Sequence, residues 1–228
     1  MLRAELKAPA LDAAGQMALD EAALLGEALD AAIFRVYRWI GPACTFGYGQ
    51  PWRAARAACD SRGWTQVSPV RRATGGGIVF HDGDLTFSLV FPWERLQTPE
   101  AIYARVHRAA ASGLARAGAR ASLHAPNSRP LGAAAACFSR AEPMDLVAED
   151  GRKVLGGALR KRGARGLYQG SLRLEPLGIE PEAAAESLRE SVRAEFGGAG
   201  PEAFDESRLA AGRRLEPRYR SREWNERR

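Results

Sequence analysis

Residues 145–174 read DLVAEDGRKVLGGALRKRGARGLYQGSLRL, and this stretch decides the fold. Residues 145–148, 153–160 and 166–174 are strand-like runs in direct succession. Glu149-Asp150-Gly151 is a turn signal whose glycine can take φ > 0, so the first two runs form a hairpin and the three an antiparallel meander. A parallel sheet would need a long crossover between each pair of strands. Working outward, strand-like runs recur at residues 34–39, 66–72, 77–80 and 85–91, the last reached through the turn Asp82-Gly83-Asp84 and continuing the same sheet. Helices fall between them. Residues 12–27 are amphipathic, with Met17, Leu19, Ala22 and Leu25 near helical spacing and acids between. Pro51 opens a short helix to Cys59, and Thr98-Pro99-Glu100 opens a longer one to about Ala117, a threonine cap followed by proline at the first helical position. A short strand follows at residues 120–124, and two or three helices lie between Pro181 and Trp224. Strand runs broken by segregated helices predict an α+β fold: a mixed, largely antiparallel sheet flanked by helices.

A second stretch carries the chemistry. Arg71-Arg72-Ala73-Thr74-Gly75-Gly76-Gly77-Ile78-Val79-Phe80-His81-Asp82 sets three glycines between two strand-like runs. Bare backbone there lets a ligand approach closely, and its N–H groups can form an anion-binding nest to which the arginines add charge and forked donors. A bulged hairpin turn is the plainer reading. The stretch is neither the phosphate loop G-x-x-x-x-G-K-[ST] nor the dinucleotide G-x-G-x-x-G.

The 228 residues suffice for one sizeable core, and no linker divides them, so a single domain over 1–228 is expected. Thirty-three basic against 27 acidic residues give +6. Such a charge suits nucleic acid, an anionic membrane surface or an acidic protein partner, and the basic residues are spread rather than blocked together, which argues against nucleic acid. Only Lys7, Lys153 and Lys161 are lysines, so each is worth a question. Cys44, Cys59 and Cys137 are too widely spaced for a disulfide framework or a metal clip, and no paired His/Cys spacing suggests structural zinc. No signal peptide and no run near the ~20 apolar residues of a membrane span is present, so a reducing cytoplasm and no membrane are expected.

The glycine stretch resembles the signature of the lipoate-protein ligase and octanoyltransferase family, R-R-x-[ST]-G-G-[GR]-x-V-x-H-D. Gly47-Tyr48-Gly49-Gln50, Leu85-Thr86-Phe87-Ser88, Gly151-Arg152-Lys153-Val154-Leu155-Gly156-Gly157-Ala158, Gln169-Gly170-Ser171 and Tyr219-Arg220-Ser221-Arg222-Glu223-Trp224-Asn225 resemble its other motifs in order. The resemblance implies a catalytic domain of the biotin/lipoate ligase type and transfer of an octanoyl or lipoyl group to a lysine of a lipoyl domain, such as a glycine-cleavage H protein or a 2-oxoacid dehydrogenase subunit. An acyl carrier protein is the implied donor. It further implies that Arg72, Thr74, Gly75, Gly76, Gly77, His81, Gly156 and Gly157 line the substrate cleft. Because the chain stops just after Asn225, no C-terminal accessory domain is expected.

Within the family, Cys137 is the decisive position. Ala136-Cys137-Phe138-Ser139-Arg140-Ala141-Glu142-Pro143-Met144-Asp145-Leu146-Val147 resembles the segment of cysteine-dependent octanoyltransferases whose thiol takes the acyl chain from a carrier thioester. A thioester donor is already activated, and thiol exchange conserves its energy in an acyl-enzyme. Lys153, where the family places its essential lysine, could favour the thiolate and stabilise charge on the acyl oxygen. Cys44 and Cys59 read as small apolar fillers. Some family features depart: Leu159 follows Gly156-Gly157-Ala158 where transferases read G-S-A-Q, Leu167-Tyr168-Gln169-Gly170-Ser171 stands where they commonly read L-Q-H-G-S so that the histidine is absent or displaced, and Pro143 falls six residues after Cys137 instead of four. The alternative is an ATP-dependent ligase in which the same loop and Lys153 hold a lipoyl-adenylate, Cys137 is incidental and Asp145 holds magnesium; otherwise Asp145 is a hairpin-edge charge and there is no metal. Weaker alternatives are a non-catalytic carrier-domain binder and a biotin ligase. His81 either orients substrate or is a structural group, and His107 and His124 carry no motif.

Overall fold

The computed structural model describes residues 2–7, 10–26, 32–94, 97–125, 141–196 and 206–227, with side chains from residue 10 onward except that of Glu206. A seven-stranded sheet forms the frame. Its strands are β1 (Leu2–Lys7), β2 (Ala32–Tyr37), β6 (Leu85–Pro92), β10 (Arg165–Leu172), β9 (Lys153–Arg162), β8 (Leu146–Ala148) and β7 (Ala121–Leu123), in that spatial order. Only β1 and β2 run parallel; every other neighbouring pair is antiparallel. The meander is therefore β8-β9-β10, as the sequence predicts, and Gly151 at its first turn has φ 82°.

A three-stranded sheet lies beside this frame, in the order β4 (Val70–Arg71), β3 (Ala43–Phe46), β5 (Ile78–His81). Here the sequence reading needs correcting. The runs on either side of the glycines do not pair with each other, because β3 lies between them, parallel to β4 and antiparallel to β5. Nor does β6 continue their sheet: the turn at residues 82–84 carries the chain from the small sheet to the large one. Residues 66–69 are irregular, and only Val70 and Arg71 of that run form a strand.

Alternation along the strands separates two apolar layers. Phe34, Phe87, Leu89 and Tyr168 face α3 (Pro99–Arg116) and α4 (Pro181–Phe196), whose Ile102, Val106 and Leu188 complete the main core. On the opposite face, α1 (Ala13–Leu25) packs with α5 (Glu206–Arg220) and the small sheet through Met17, Tyr37, Tyr219 and Trp224. The short helices α2 (Trp52–Ser61) and α6 (Arg222–Asn225) complete the chain. Thr98 caps α3 by accepting from the Ala101 N–H at 3.2 Å, with Pro99 at the first helical position. In α1 the acids do not face water: Asp20 is fully buried, and its carboxylate accepts from Arg35, Ser88 (2.6 Å), Gln169 (2.6 Å) and Tyr37 (3.0 Å). A buried carboxylate with this many donors is held without solvent.

Candidate active site

The glycine loop is held by side chains that reach it from three directions. Thr74 is buried and donates to Gln169 Oε1 at 2.6 Å, which ties the loop through Gln169 to Asp20. Tyr48 N–H donates to the Thr74 carbonyl at 2.8 Å, bringing the Gly47-Tyr48-Gly49-Gln50 element onto the loop. Arg72 donates to Thr45 Oγ1 (2.9 Å) and to the carbonyls of Gly75 (2.8 Å) and Gly77 (2.9 Å), so it braces the loop from inside. Gly76, between those carbonyls, has φ 85°, a conformation that disfavours any Cβ.

The two adjacent arginines have different roles. The wholly buried Arg71 guanidinium donates to the carbonyls of Tyr48, Gln50, Trp224 and Asn225 at 2.6–3.0 Å, while Trp224 Nε1 donates back to the Arg71 carbonyl at 2.9 Å. The expectation that the two arginines offer forked donors to an anion is corrected for both: the fork of Arg71 is spent on backbone carbonyls, and that of Arg72 on Thr45 and the carbonyls of Gly75 and Gly77.

A half-open cleft, with about 390 Å³ of space when its solvent-open mouth is counted, lies between the two sheets. Gly156, Gly157 and Ala158 of β9 and residues 169–171 of β10 form one wall; Thr45, Val79, Arg72 and Gly76 face them, and Met17, Tyr37 and Trp39 contribute apolar surface. His81 lies against Trp39, ring centroids 4.0 Å apart and stacked. Its Nδ1 meets Asp84 Oδ2 at 2.8 Å and its Nε2 meets Thr45 Oγ1 at 2.9 Å. Thr86 and Ser171 also donate to Asp84 Oδ2, at 2.9 and 2.6 Å. Burial alone would raise the Asp84 carboxyl, but His81 and these two hydroxyls hold it below the usual carboxylate range. Asp84, His81, Thr45 and Arg72 thus form one hydrogen-bonded run ending on the glycine loop.

Lys153 begins the strand that forms the cavity wall, about 10 Å of strand before Gly156. It is buried, and its Nζ lies 2.7 Å from Asp145 Oδ2, which also accepts from the Glu142 N–H at 2.6 Å. Asp145 is therefore no exposed hairpin-edge charge. Burial pushes its carboxyl up, and Lys153 and the Glu142 N–H pull it partly back. Behind this pair, His107 of α3 meets the Met144 carbonyl through Nδ1 (2.5 Å) and the Tyr168 hydroxyl through Nε2 (2.6 Å). No motif singled out His107; the available signal was its place on the stripe Tyr103, His107, Ala110, Leu114, at i, i+4, i+7 and i+11 of an apolar helix face.

Of the residues expected in the cleft, Arg72, Gly76, His81, Gly156 and Gly157 line the cavity together. Thr74, Gly75 and Gly77 do not line it; they shape the loop. Cys137 lies outside the described residues, in a segment from which the described chain resumes at Ala141. Cys44 and Cys59 are buried and reduced among Phe46, Ala55 and Ile78, as expected of fillers. Among the described residues no group of three His, Cys, Asp or Glu side chains could hold a metal ion, and no helix is long and apolar enough to cross a membrane.

The chain resembles known proteins in sequence and in fold. An octanoyltransferase LipM of Symbiobacterium thermophilum is 32% identical over 169 residues, covering 70% of this chain and 60% of its own, and one of Oceanobacillus iheyensis is 35% identical over 175 residues, covering 72% and 60%. The chain thus spans about 60% of the length of these curated relatives. A crystal structure of lipoate-protein ligase A bound with ATP superposes with a TM-score of 0.79 at 21% identity, covering 99% of this chain and 98% of that one. A bi-partite archaeal lipoate protein ligase from Thermoplasma acidophilum gives 0.75 at 19%, covering 99% and 96%. The likeness to these two structures establishes the α+β fold expected from the sequence. Residues 12–206 match the family model described as the lipoyl protein ligase A/B catalytic domain, and the chain belongs to that family.

Proposed function

We propose that the chain transfers an octanoyl or lipoyl group to a specific lysine of a lipoyl domain through a thioester on Cys137. The observation that carries this reading is the apolar, glycine-walled cleft on the strand that begins with buried Lys153. A medium-length acyl chain suits such a cavity, and a lysine in a low-dielectric setting suits charge developing on its carbonyl oxygen. The relatives named octanoyltransferases support the same reaction.

In the first step the Cys137 thiolate attacks the carbonyl carbon of the donor thioester. The donor's C–S bond breaks, its thiolate leaves and takes up the proton that the Cys137 thiol gave up, and an acyl-enzyme thioester forms. In the second step the neutral amine of the acceptor lysine attacks that carbonyl; an amide forms, and the amine proton and the released thiolate restore the Cys137 thiol. Lys153 faces the oxyanion in both steps. Arg72, Thr74, Gly75, Gly76 and Gly77 shape one wall of the acyl cleft, Gly156 and Gly157 the other, and His81 with Trp39 supports the cavity. The acceptor would be a glycine-cleavage H protein or a 2-oxoacid dehydrogenase subunit, the donor an acyl carrier protein. The reaction as written consumes no cofactor.

The ATP-dependent ligase reading uses the same cleft and Lys153 but needs a carboxylate for magnesium. Asp145 is the candidate, yet its Oδ2 is occupied by Lys153 and the Glu142 N–H. That donor set suits an ammonium rather than a divalent cation, and no step is routed through magnesium.

Intact mass after incubation with octanoyl-carrier protein and no ATP tests the proposal. Wild type should gain one hydroxylamine-labile octanoyl group and Cys137→Ser none, and Lys153→Ala should slow transfer about 10²- to 10³-fold. Acylation of the acceptor only from free acid and ATP, surviving Cys137→Ser, would install the ligase instead.

A further inference from the structure

We infer that His107 is a positioning residue that sets the Asp145–Lys153 pair by gripping the carbonyl of Met144. This rests on the reading of Lys153 as the group that stabilises acyl-oxygen charge, which the transferase and ligase readings share.

The hydrogen-bond directions follow from the partners. The Met144 carbonyl can only accept, so His107 Nδ1 carries a proton and donates at 2.5 Å. A neutral ring then has only a lone pair at Nε2, which accepts from the Tyr168 O–H at 2.6 Å. Neutrality is enforced by surroundings: burial drives the His107 imidazole down to about 4, and the nearby Lys153 charge acts in the same direction against the Met144 bond.

The grip falls on an unusual residue. Met144 has φ 74°, the only positive φ among described non-glycine residues. A side chain in that region costs on the order of 1–2 kcal/mol, and it persists where several contacts over-determine it. His124 contributes two: its N–H donates to the Asp145 carbonyl at 2.7 Å, and its carbonyl accepts from the Met144 N–H at 3.2 Å. The peptide that joins Met144 to Asp145 is held at both ends: its N–H donates to the Glu142 carbonyl at 3.1 Å, and its carbonyl accepts from His107. The next residue is Asp145, whose carboxylate meets Lys153 at 2.7 Å, so the orientation of that peptide decides where the carboxylate points.

The other end of the imidazole reaches the cavity wall. Tyr168 packs over Gly157, where an added Cβ would lie 2.2 Å from the tyrosine oxygen. Tyr103, one turn before His107, donates to the Gly157 carbonyl at 3.2 Å. A single face of α3 therefore braces both the Lys153 end of β9 and its acyl-lining glycines. Charge at Lys153 and width at Gly157 are set from one place.

The test compares His107→Phe and His107→Gln with wild type in the full chain. It measures the single-turnover acylation rate, octanoate affinity and thermal unfolding. His107→Phe should lose about tenfold or more in rate, with octanoate affinity little changed. Glutamine, which can donate to Met144 and accept from Tyr168, should restore most of it. If the wild type reacts only with ATP, the same comparison is made on acyl-adenylate formation. A folded His107→Phe protein at the wild-type rate, or one whose rate and octanoate affinity fall together, overturns the proposal. Lys153→Ala is run in parallel: full activity there defeats the parent reading, whereas a dead Lys153→Ala beside an active His107→Phe defeats only this one. Should His107→Phe be too unstable to assay, nitrogen NMR of wild type decides. Nδ1 must be protonated and Nε2 bare, and the opposite tautomer overturns the grip.

Discussion

Gly157 shows how little room the site leaves. Its missing Cβ is the space the Tyr168 hydroxyl occupies, so Gly157→Ala must push the tyrosine off His107 or move β9. We expect a loss of about 2 kcal/mol in urea denaturation, the usual cost of overpacking. Gly49→Ala, where an added Cβ meets nothing within 4 Å, should be near neutral and serves as the control. Glycines at such positions were readable as special in the sequence; the reason was not. Gly156 and Gly157 could be read as cleft residues, but the clash that makes 157 intolerant comes from a tyrosine on the neighbouring strand. The same holds for Arg71 and Arg72. Both look like anion-binding groups in a linear string; the carbonyls of Tyr48 and Gln50, with those of Trp224 and Asn225 some 150 residues away, show Arg71 to be structural.

Elements with local signals were legible, and those made by distant partners were not. The β8-β9-β10 meander and the Thr98-Pro99 start of α3 carry turn and cap chemistry within a few residues. The small sheet does not: β4 has two residues, β3 pairs with strands 25 and more residues onward, and neither leaves a period to read. The buried acids of α1 mimic a solvated face because their partners, Arg35, Ser88 and Gln169, belong to other elements. His107 is the same case on α3, and it yields a pH prediction. The unfolded chain takes up its proton near 6.5, while the folded protein resists until about 4. Stability should therefore fall as pH drops through that window and level off below it, by about 3 kcal/mol in all. The difference between wild type and His107→Gln in denaturation across pH 4–7 isolates this from the carboxylates. A flat difference would show that the imidazole is not held neutral.

At the scale of the molecule, an arginine joins the small sheet to the last described helix. Arg71 lies on the small sheet, and its fork ends on the carbonyls of α6, while its own N–H donates to Asn225 Oδ1 at 2.8 Å. Arg71→Lys keeps the charge but cannot span those acceptors, and leaving several buried carbonyls unpaired should cost about 3 kcal/mol. The same substitution should weaken octanoate binding, since β4 leads directly into Arg72 and the loop; calorimetry on the folded variant measures it. This closure has a consequence in time as well as in space. Residues 71 and 225 are separated by 154 positions, so a ribosome must add all of them before the last of Arg71's partners exists. The meander and its hairpins can settle as they emerge, whereas the glycine loop waits for its last ligature. Acyl binding should accordingly appear in a nascent chain well after the meander has folded, not with it.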